Sequence, residues 1–446
     1  MKVARLEDRW VAPLVLALPF LVGIAVLQGL TVEIDTFHGS DARVYQLPTI
    51  LQLSERLDLS DYPSAQTPLY HLLTAWWGEL VGFEPWRLRL LNVAFSYGMA
   101  LALLRLLRRA TPLGAAQALA LTLLFVLSPY VLGVSFTLLT DNLALLFSFL
   151  ALERLHAYRQ GAPVWAFAAG CAAIAAALLT RQAFVWLVPV AAAMLVLRRG
   201  GPGGAGRIAA GAAMLALALA PLAALVLKWD GLVPPSADPA SCGLCEDRAG
   251  LTREALSLRA AGFTLALAGL YSALLFGPSV VRRLRRLRSP VARTWVRMTG
   301  RGRELTRAVA AAAVAGAALL LISPLEYQPI TPAQAGDAGY LWRISDELPV
   351  LLGSSLVFWA LVPLGCVALL LLVRRAGALS LPAVYLVSFL LAALPVRLAY
   401  QKYFDPFVLV ALALLARPSD LRTAADWSGA ALLAVAFVAY AISFAG

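Results

Sequence analysis

The run VLLGSSLVFWALVPLGCVALLLLV, residues 350–373, carries no charge and ends on Arg374-Arg375. A helix needs about 20 apolar residues to cross roughly 30 Å of hydrocarbon, so this run is long enough to span a bilayer. The arginine pair also orients it, because basic residues stay on the cytoplasmic side. The same ruler finds further runs near residues 11–31, 90–105, 113–133, 138–153, 163–180, 183–197, 208–227, 259–277, 308–323, 379–396, 405–416 and 428–445. They are continuous and do not alternate, which argues for helices over barrel strands. The fold expected is all-α: a polytopic membrane protein, one integral-membrane domain over residues 1–446, with about 11–13 transmembrane helices. The first run exceeds a secretory h-region and lacks a small-residue cleavage site, so it reads as a retained helix.

Composition agrees. Of 446 residues 61% are hydrophobic and 14% charged, and mean hydropathy is +0.78. Soluble chains average roughly 45–50% apolar and about 25% charged. A soluble enzyme this apolar could not cover its own surface with polar groups. Sparse charge, unpatterned glycine and only 4 Cys exclude disordered, collagen-like and disulfide-scaffold chains.

The net charge of +12 suggests nucleic acid until it is divided between the two sides of the membrane. With a cytoplasmic N-terminus, the inner segments are 2–9, 105–109, 154–159, 198–207, 282–307, 374–375 and 417–422. They hold 25 of the 37 Lys and Arg residues, and 6 of the 25 acids lie on or beside them. The inner side therefore carries +19 and the outer side −7. This asymmetry orients the chain and needs no nucleic-acid partner. Arg282–Arg288 (RRLRRLR), within the basic loop 278–307, faces the anionic lipid of the inner leaflet. Arginine outnumbers lysine 34 to 3, the bias of GC-rich bacterial coding. The expected location is a bacterial inner (plasma) membrane, with the exterior face in the envelope.

Four exterior segments are long or polar enough for chemistry: 31–89, 228–254, 323–349 and 397–405. In the first, Leu69, Leu72, Leu73, Trp76, Trp77, Leu80 and Val81 recur at helical spacing. That predicts an amphipathic helix lying in the membrane interface. A second such element covers about 41–57, interrupted at Pro48. His71 lies off the apolar stripe, on the water side, and is a candidate sugar or acceptor contact.

Glu33, Asp35, His38 and Asp41 fall within nine residues at the outer mouth of the first span. Acids at this depth are costly unless they face a cavity or a partner. Solvated loop carboxylates, a general base and a metal set of Asp35, His38 and Asp41 all fit these residues. The chain has 3 His and no HExxH motif. No cofactor is expected, although a divalent metal is compatible with the cluster.

Several stretches resemble a known family. The run Asp35-Thr-Phe-His38-Gly-Ser-Asp41-Ala42-Arg-Val-Tyr45 is similar to the acidic motif of the dolichyl-phosphate-glucose-dependent alpha-1,2-glucosyltransferases. Thr67-Pro68-Leu69-Tyr70, Leu139-Thr140-Asp141 and Thr180-Arg181-Gln182-Ala-Phe-Val-Trp186 resemble further motifs of that family, in order, over residues 35–186. Ile34 stands where the family has an acid, and Ala183-Phe184 where it has Thr-Asn. The resemblance implies the broader GT-C class of integral-membrane glycosyltransferases, which use a polyprenyl-phosphate-linked sugar and invert the anomeric carbon. It implies a catalytic base in the first exterior loop, Asp35 first and Asp41 second, with His38 and Gln182 near the sugar or acceptor.

Such a donor leaves as a polyprenyl phosphate, whose charge must be stabilised. Exterior cations are few, which makes Arg181, Arg397 and Lys402 the candidate phosphate ligands. Snorkelling at the interface is the other reading of each. Tyr400 and Tyr403 beside Lys402 suit a sugar face or an interfacial belt. Asp141 reads as a helix N-cap or an acceptor for a sugar hydroxyl. Tyr340 and Trp342 read as interfacial anchors that could also stack on a sugar. Cys242-Gly-Leu-Cys245, placed outside, fits a small structural disulfide, and Cys171 and Cys366 are intramembrane packing residues. The partners expected are a polyprenyl-phosphate sugar, a glycan, lipid or protein acceptor, and membrane lipid. A secondary transporter or lipid or polysaccharide flippase is the alternative, although no internal repeat and no carboxylate centred in a span supports it.

Overall fold

The computed structural model describes residues 4–28, 41–198, 204–237, 258–287, 301–326, 339–394, 396 and 399–443. The chain divides into two compact units, residues 1–110, 118–253 and 440–446 in the first and residues 111–117 and 254–439 in the second. Both are helical, as composition requires of a multi-pass membrane protein. A bilayer offers no water to backbone N–H and C=O groups, so each span must satisfy its own.

The first unit contains α1 (Ala4–Val26), a π turn (Ala42–Gln46), α2 (Leu47–Glu55), α3 (Leu69–Val81) and α4 (Pro85–Ala110). Then come α5 (Ala115–Leu127), α6 (Pro129–Ser135), α7 (Asp141–Arg159) and α8 (Val164–Thr180). A 3-10 turn (Gln182–Trp186), α9 (Leu187–Val196) and α10 (Ala205–Trp229) complete it. Helix α7 is central, packing against α4 on one side and α8 on the other, and α10 packs on α8.

The second unit contains α11 (Leu258–Leu287), α12 (Arg301–Ile322), α13 (Tyr340–Asp346), α14 (Leu356–Ala376), α15 (Leu381–Ala393), α16 (Asp405–Leu415) and α17 (Ala424–Ser443). Helix α14 lies against both α11 and α12. Its closest approach to α11 is at Gly269 and Gly365, where a Cβ on either residue would enter the other helix's backbone. Small residues at such crossings are how membrane helices gain packing in the absence of a hydrophobic drive.

Among the described residues, six helices are long and apolar enough to cross a membrane unaided: 85–110, 205–229, 258–282, 304–322, 356–376 and 424–441. α5 and α6 qualify only as a pair, bent by 70°. Five expected spans are shorter apolar helices of 10–17 residues. α7 is long enough, but Asp141, Glu153, Arg154 and Arg159 make it too polar for a lipid-facing span. Thus the expected run count corresponds to helices, yet about half of them would need neighbouring helices or local bilayer thinning to complete a crossing.

The opening run also starts differently from the expectation. Val350-Leu351 and Ser354-Ser355 pair as two-residue antiparallel strands, β1 and β2. The turn between them is Leu352-Gly353, both at positive φ, the geometry a two-residue hairpin demands. The hairpin breaks the helical path, so α14 begins at Leu356 and runs through Arg374-Arg375.

Candidate functional site

The segment expected to form the first exterior loop is built on its helices. Pro48 falls in the first turn of α2, preceded by the π turn, which lets the chain pass the proline without a gap. In α3 the side chains turned inward are Tyr70, His71, Thr74, Ala75 and Gly78. Trp76 and Leu80 of the apolar stripe stay exposed. Leu72, Leu73 and Trp77 of the same stripe pack against the protein core, so only part of the stripe is left for lipid.

This corrects the expectation for His71, which does not face water: it is fully buried. Its Nε2 meets Oε1 of Gln46 at 2.6 Å, and Tyr62 and Tyr70 flank the ring. Burial drives its pKa down to about 3, with the Thr67 carbonyl working weakly the other way, so the imidazole is held neutral. Its role in this structure is to join α3 to the π turn.

The corner after α8 gathers the motifs that carried the family resemblance. Arg181 is extended (φ −152°, ψ 119°) between α8 and the 3-10 turn, and its guanidinium donates to the Asp141 carboxylate. Asp141 is not an N-cap as the sequence allowed. Thr140 occupies that position, and the Asp141 side chain makes no cap to its own helix. The neighbouring Gln182 donates to the carbonyls of Ala65 at 2.8 Å and Leu232 at 3.2 Å. Thr67 donates to the carbonyl of Leu178 at 2.7 Å, and Trp229 to that of Leu59 at 2.7 Å. Tyr70 packs with Ala42, Leu138 and Leu143 in one apolar cluster. Burial chiefly, and secondarily the Asp141 charge, raise the Tyr70 phenol's pKa. Residues 42–45, 67–70, 139–141 and 180–186 thus converge on one region of the first unit.

The broken span α5–α6 positions Asp141. Ending α6 at Ser135 strands carbonyls that would otherwise need partners. Asn142 donates to Val131 O at 3.0 Å, and Asn92 to Val134 O at 2.7 Å and Thr137 O at 2.5 Å. Asn142 also bonds Ser96 and Ser135. These buried amides anchor the start of α7. Sequence reasoning missed them, although Asn142 sits directly after Asp141.

In the second unit, Tyr400, Lys402 and Tyr403 lie on one short segment. The Lys402 ammonium sits 5.2 Å from the Tyr403 ring centre, and Tyr400 packs edge-on to Tyr403. Behind them is a buried cluster that sequence reasoning did not assemble. Asp405, fully buried at the start of α16, accepts from Tyr271, from Tyr340 at 3.2 Å and from Gln401 at 3.4 Å. Gln401 accepts the Leu341 N–H at 3.0 Å. Trp342 donates to Ala399 O at 2.7 Å and stacks on Phe263 at 4.8 Å. Helix α13 therefore clasps the Lys402 segment. Trp342 is buried and is no exposed sugar platform. The signal was present as Tyr340 and Asp405 at segment ends, but Tyr271 lies mid-span, where nothing in the sequence singles it out.

Asp41 is described, preceding the π turn and partly exposed. Asp35, His38, Arg397, Cys242 and Cys245 lie outside the described residues. Cys171 and Cys366 are free thiols. Among the described residues no group of three His, Cys, Asp or Glu side chains is placed to hold a metal ion.

No family model and no curated protein matches the chain. Among solved structures it is similar to the crystal structure of ArnT from Cupriavidus metallidurans in the apo state, at 17% identity. The likeness covers 90% of this chain and 77% of that one, with a TM-score of 0.40. A likeness this loose assigns neither a family nor an activity.

Proposed function

We propose that the protein is an integral-membrane glycosyltransferase that moves a sugar from a polyprenyl-phosphate donor to an envelope glycan, lipid or protein acceptor on the exterior face. The observation that carries this reading is the convergence at the Arg181 corner. Four sequence stretches that resemble motifs of one transferase family are scattered over residues 35–186, yet their described parts pack together. Arg181 is tied to Asp141, Gln182 to the first exterior loop, and Thr67 to the end of α8.

The chemistry is a single displacement. A carboxylate of the first exterior loop, Asp35 or in its place Asp41, removes the proton from an acceptor hydroxyl. The acceptor oxygen bonds the anomeric carbon as the bond from that carbon to the phosphate oxygen breaks. The configuration inverts, and the electron pair leaves with the polyprenyl phosphate. Arg181 is the cation proposed for the departing phosphate, since its planar fork suits two oxygens. Asp141 holds the guanidinium in place before the donor arrives. Arg397 and Lys402 are the further candidate cations, with Tyr400 and Tyr403 beside them. No metal is invoked.

Purified protein given polyprenyl-phosphate sugars and candidate acceptors should release polyprenyl phosphate and form an inverted product. Asp35→Asn should stop turnover while the protein elutes and melts as wild type. Normal turnover in that variant moves the base to Asp41, tested the same way. Cysteine labelling that put positions 35 and 181 on opposite membrane faces would end this reading.

A further inference from the structure

The second unit holds a concavity unrelated to the exterior chemistry. It has a volume of about 860 Å³ and lies between α11 and the first turns of α17. Its walls come from Ala273, Gly277, Val281, Ala425 and Ser428, with Arg282 and Asp426 at one end. The walls are small and mostly apolar. A Cβ added at Gly277 would meet no atom within 4 Å, so that position opens straight into the space. The other end is polar and built. Arg282 donates to Asp426, to Thr423 Oγ1 at 2.9 Å and to Ser419 O at 3.2 Å. Asp426 also accepts the backbone N–H groups of Arg422 at 3.0 Å and Thr423 at 2.8 Å.

We infer that this groove is a binding site for one anionic phospholipid, with an acyl chain along the small-residue wall and the phosphate headgroup at the Arg282 end. Two features select that occupant. The groove is apolar along its length and charged at one end, the polarity of a phospholipid. Its charged end begins the sequence run Arg282–Arg288, five arginines in seven residues. A basic run of this kind attracts an anionic headgroup and gains little from a zwitterionic one. By charge, this is also the end assigned to the cytoplasm, where anionic lipid is attracted by juxtamembrane basic segments. The inference does not depend on the proposed transferase activity.

Native mass spectrometry of the full, detergent-purified chain tests it, using phosphatidylglycerol and phosphatidylcholine of identical acyl chains as probes. The expected result is one phosphatidylglycerol retained per chain, at least fivefold more tightly than phosphatidylcholine. Gly277→Leu fills the groove from inside and should abolish that retention. Ser428→Leu, on the opposite wall at an exposed position, serves if the first variant does not fold. Equal retention of phosphatidylglycerol by wild type and a folded groove-filling variant would overturn the site. Equal retention of the two lipids by wild type would overturn the anionic assignment. Arg285→Gln with Arg286→Gln should lower the preference for phosphatidylglycerol at least threefold, and an unchanged preference would count against the charge argument.

Discussion

Arg181–Asp141 and Arg375–Asp420 are both arginine–carboxylate pairs, but they differ in how far the acid is buried. Asp420 is 2% exposed and saturated: Arg375 grips it with two bonds, at 2.8 and 2.6 Å, and the backbone of Arg417 adds a third at 3.0 Å. Arg375 also donates to Leu415 O at 2.9 Å, so the pair stitches the ends of α14 and α16 together. Glu153 is also buried, with Arg105 and Arg109 both meeting its Oε1. These carboxylates sit where the charge pattern places the cytoplasm, and they are staples. Asp141 is 23% exposed, caps nothing on its own helix and meets an arginine held at a loop corner. A pair that locks helices together buries its acid completely. In the pair proposed to bind phosphate, part of the acid's surface stays open.

Cutting each pair sharpens that contrast. Arg181→Ala should lower kcat/KM for sugar transfer by about 10²–10³-fold, the loss expected when one oxyanion donor is removed. Its melting temperature should stay close to wild type. A large drop in melting temperature with near-normal turnover would make Arg181 another staple. Asp420→Ala should do the opposite. It leaves a largely buried guanidinium unpaired, at a cost of about 3 kcal/mol, seen as early unfolding in a detergent thermal melt. Activity per folded molecule should persist.

The buried histidine provides a pH test. His71 has a folded-state pKa of about 3, below the unfolded value near 6.5. The unfolded chain therefore binds the proton more readily. Stability is fully present above about pH 6.5 and falls as the pH drops below it, by about 1.4 kcal/mol per unit between the two values. Melts from pH 7.5 to 4.5 should show this slope, and His71→Gln should flatten it. The smallest effect is expected at the Asp405 cluster. Tyr271→Phe removes one donor among several, so the loss should be about 1 kcal/mol. If melting were unchanged while donor KM rose tenfold, the cluster would belong with the Arg181 corner and not with the staples.

Much of the fold was legible because lipid solvation acts on local sequence. Apolar runs become helices, and basic residues collect on one side, whatever the neighbours are. The stripe on α3 was legible too, but the face it packs with was not. In water an apolar stripe turns inward, whereas at a lipid surface it can stay outside. Here Trp76 and Leu80 stay outside while Tyr70, His71 and Thr74 turn in, which is why His71 was misplaced. Asp141 was misread for a related reason: a carboxylate at a helix start resembles a cap until a distant arginine claims it. Tyr271 was invisible, since one phenol in an apolar span carries no pattern.

The sequence by itself determined the class of molecule and its helical runs, and picked out a short set of residues worth testing. These depend on transfer free energies, which are summed residue by residue. Only the tertiary structure decided which helices break or stop short. It also decided that Arg181 meets Asp141, and that Asp405 lies sealed beneath Tyr271 and Tyr340. Those outcomes depend on pairings across 40 to more than 130 residues of chain. Hydrogen bonds and ion pairs of that kind are selected by geometry in three dimensions, and no local property of the residues encodes the partner.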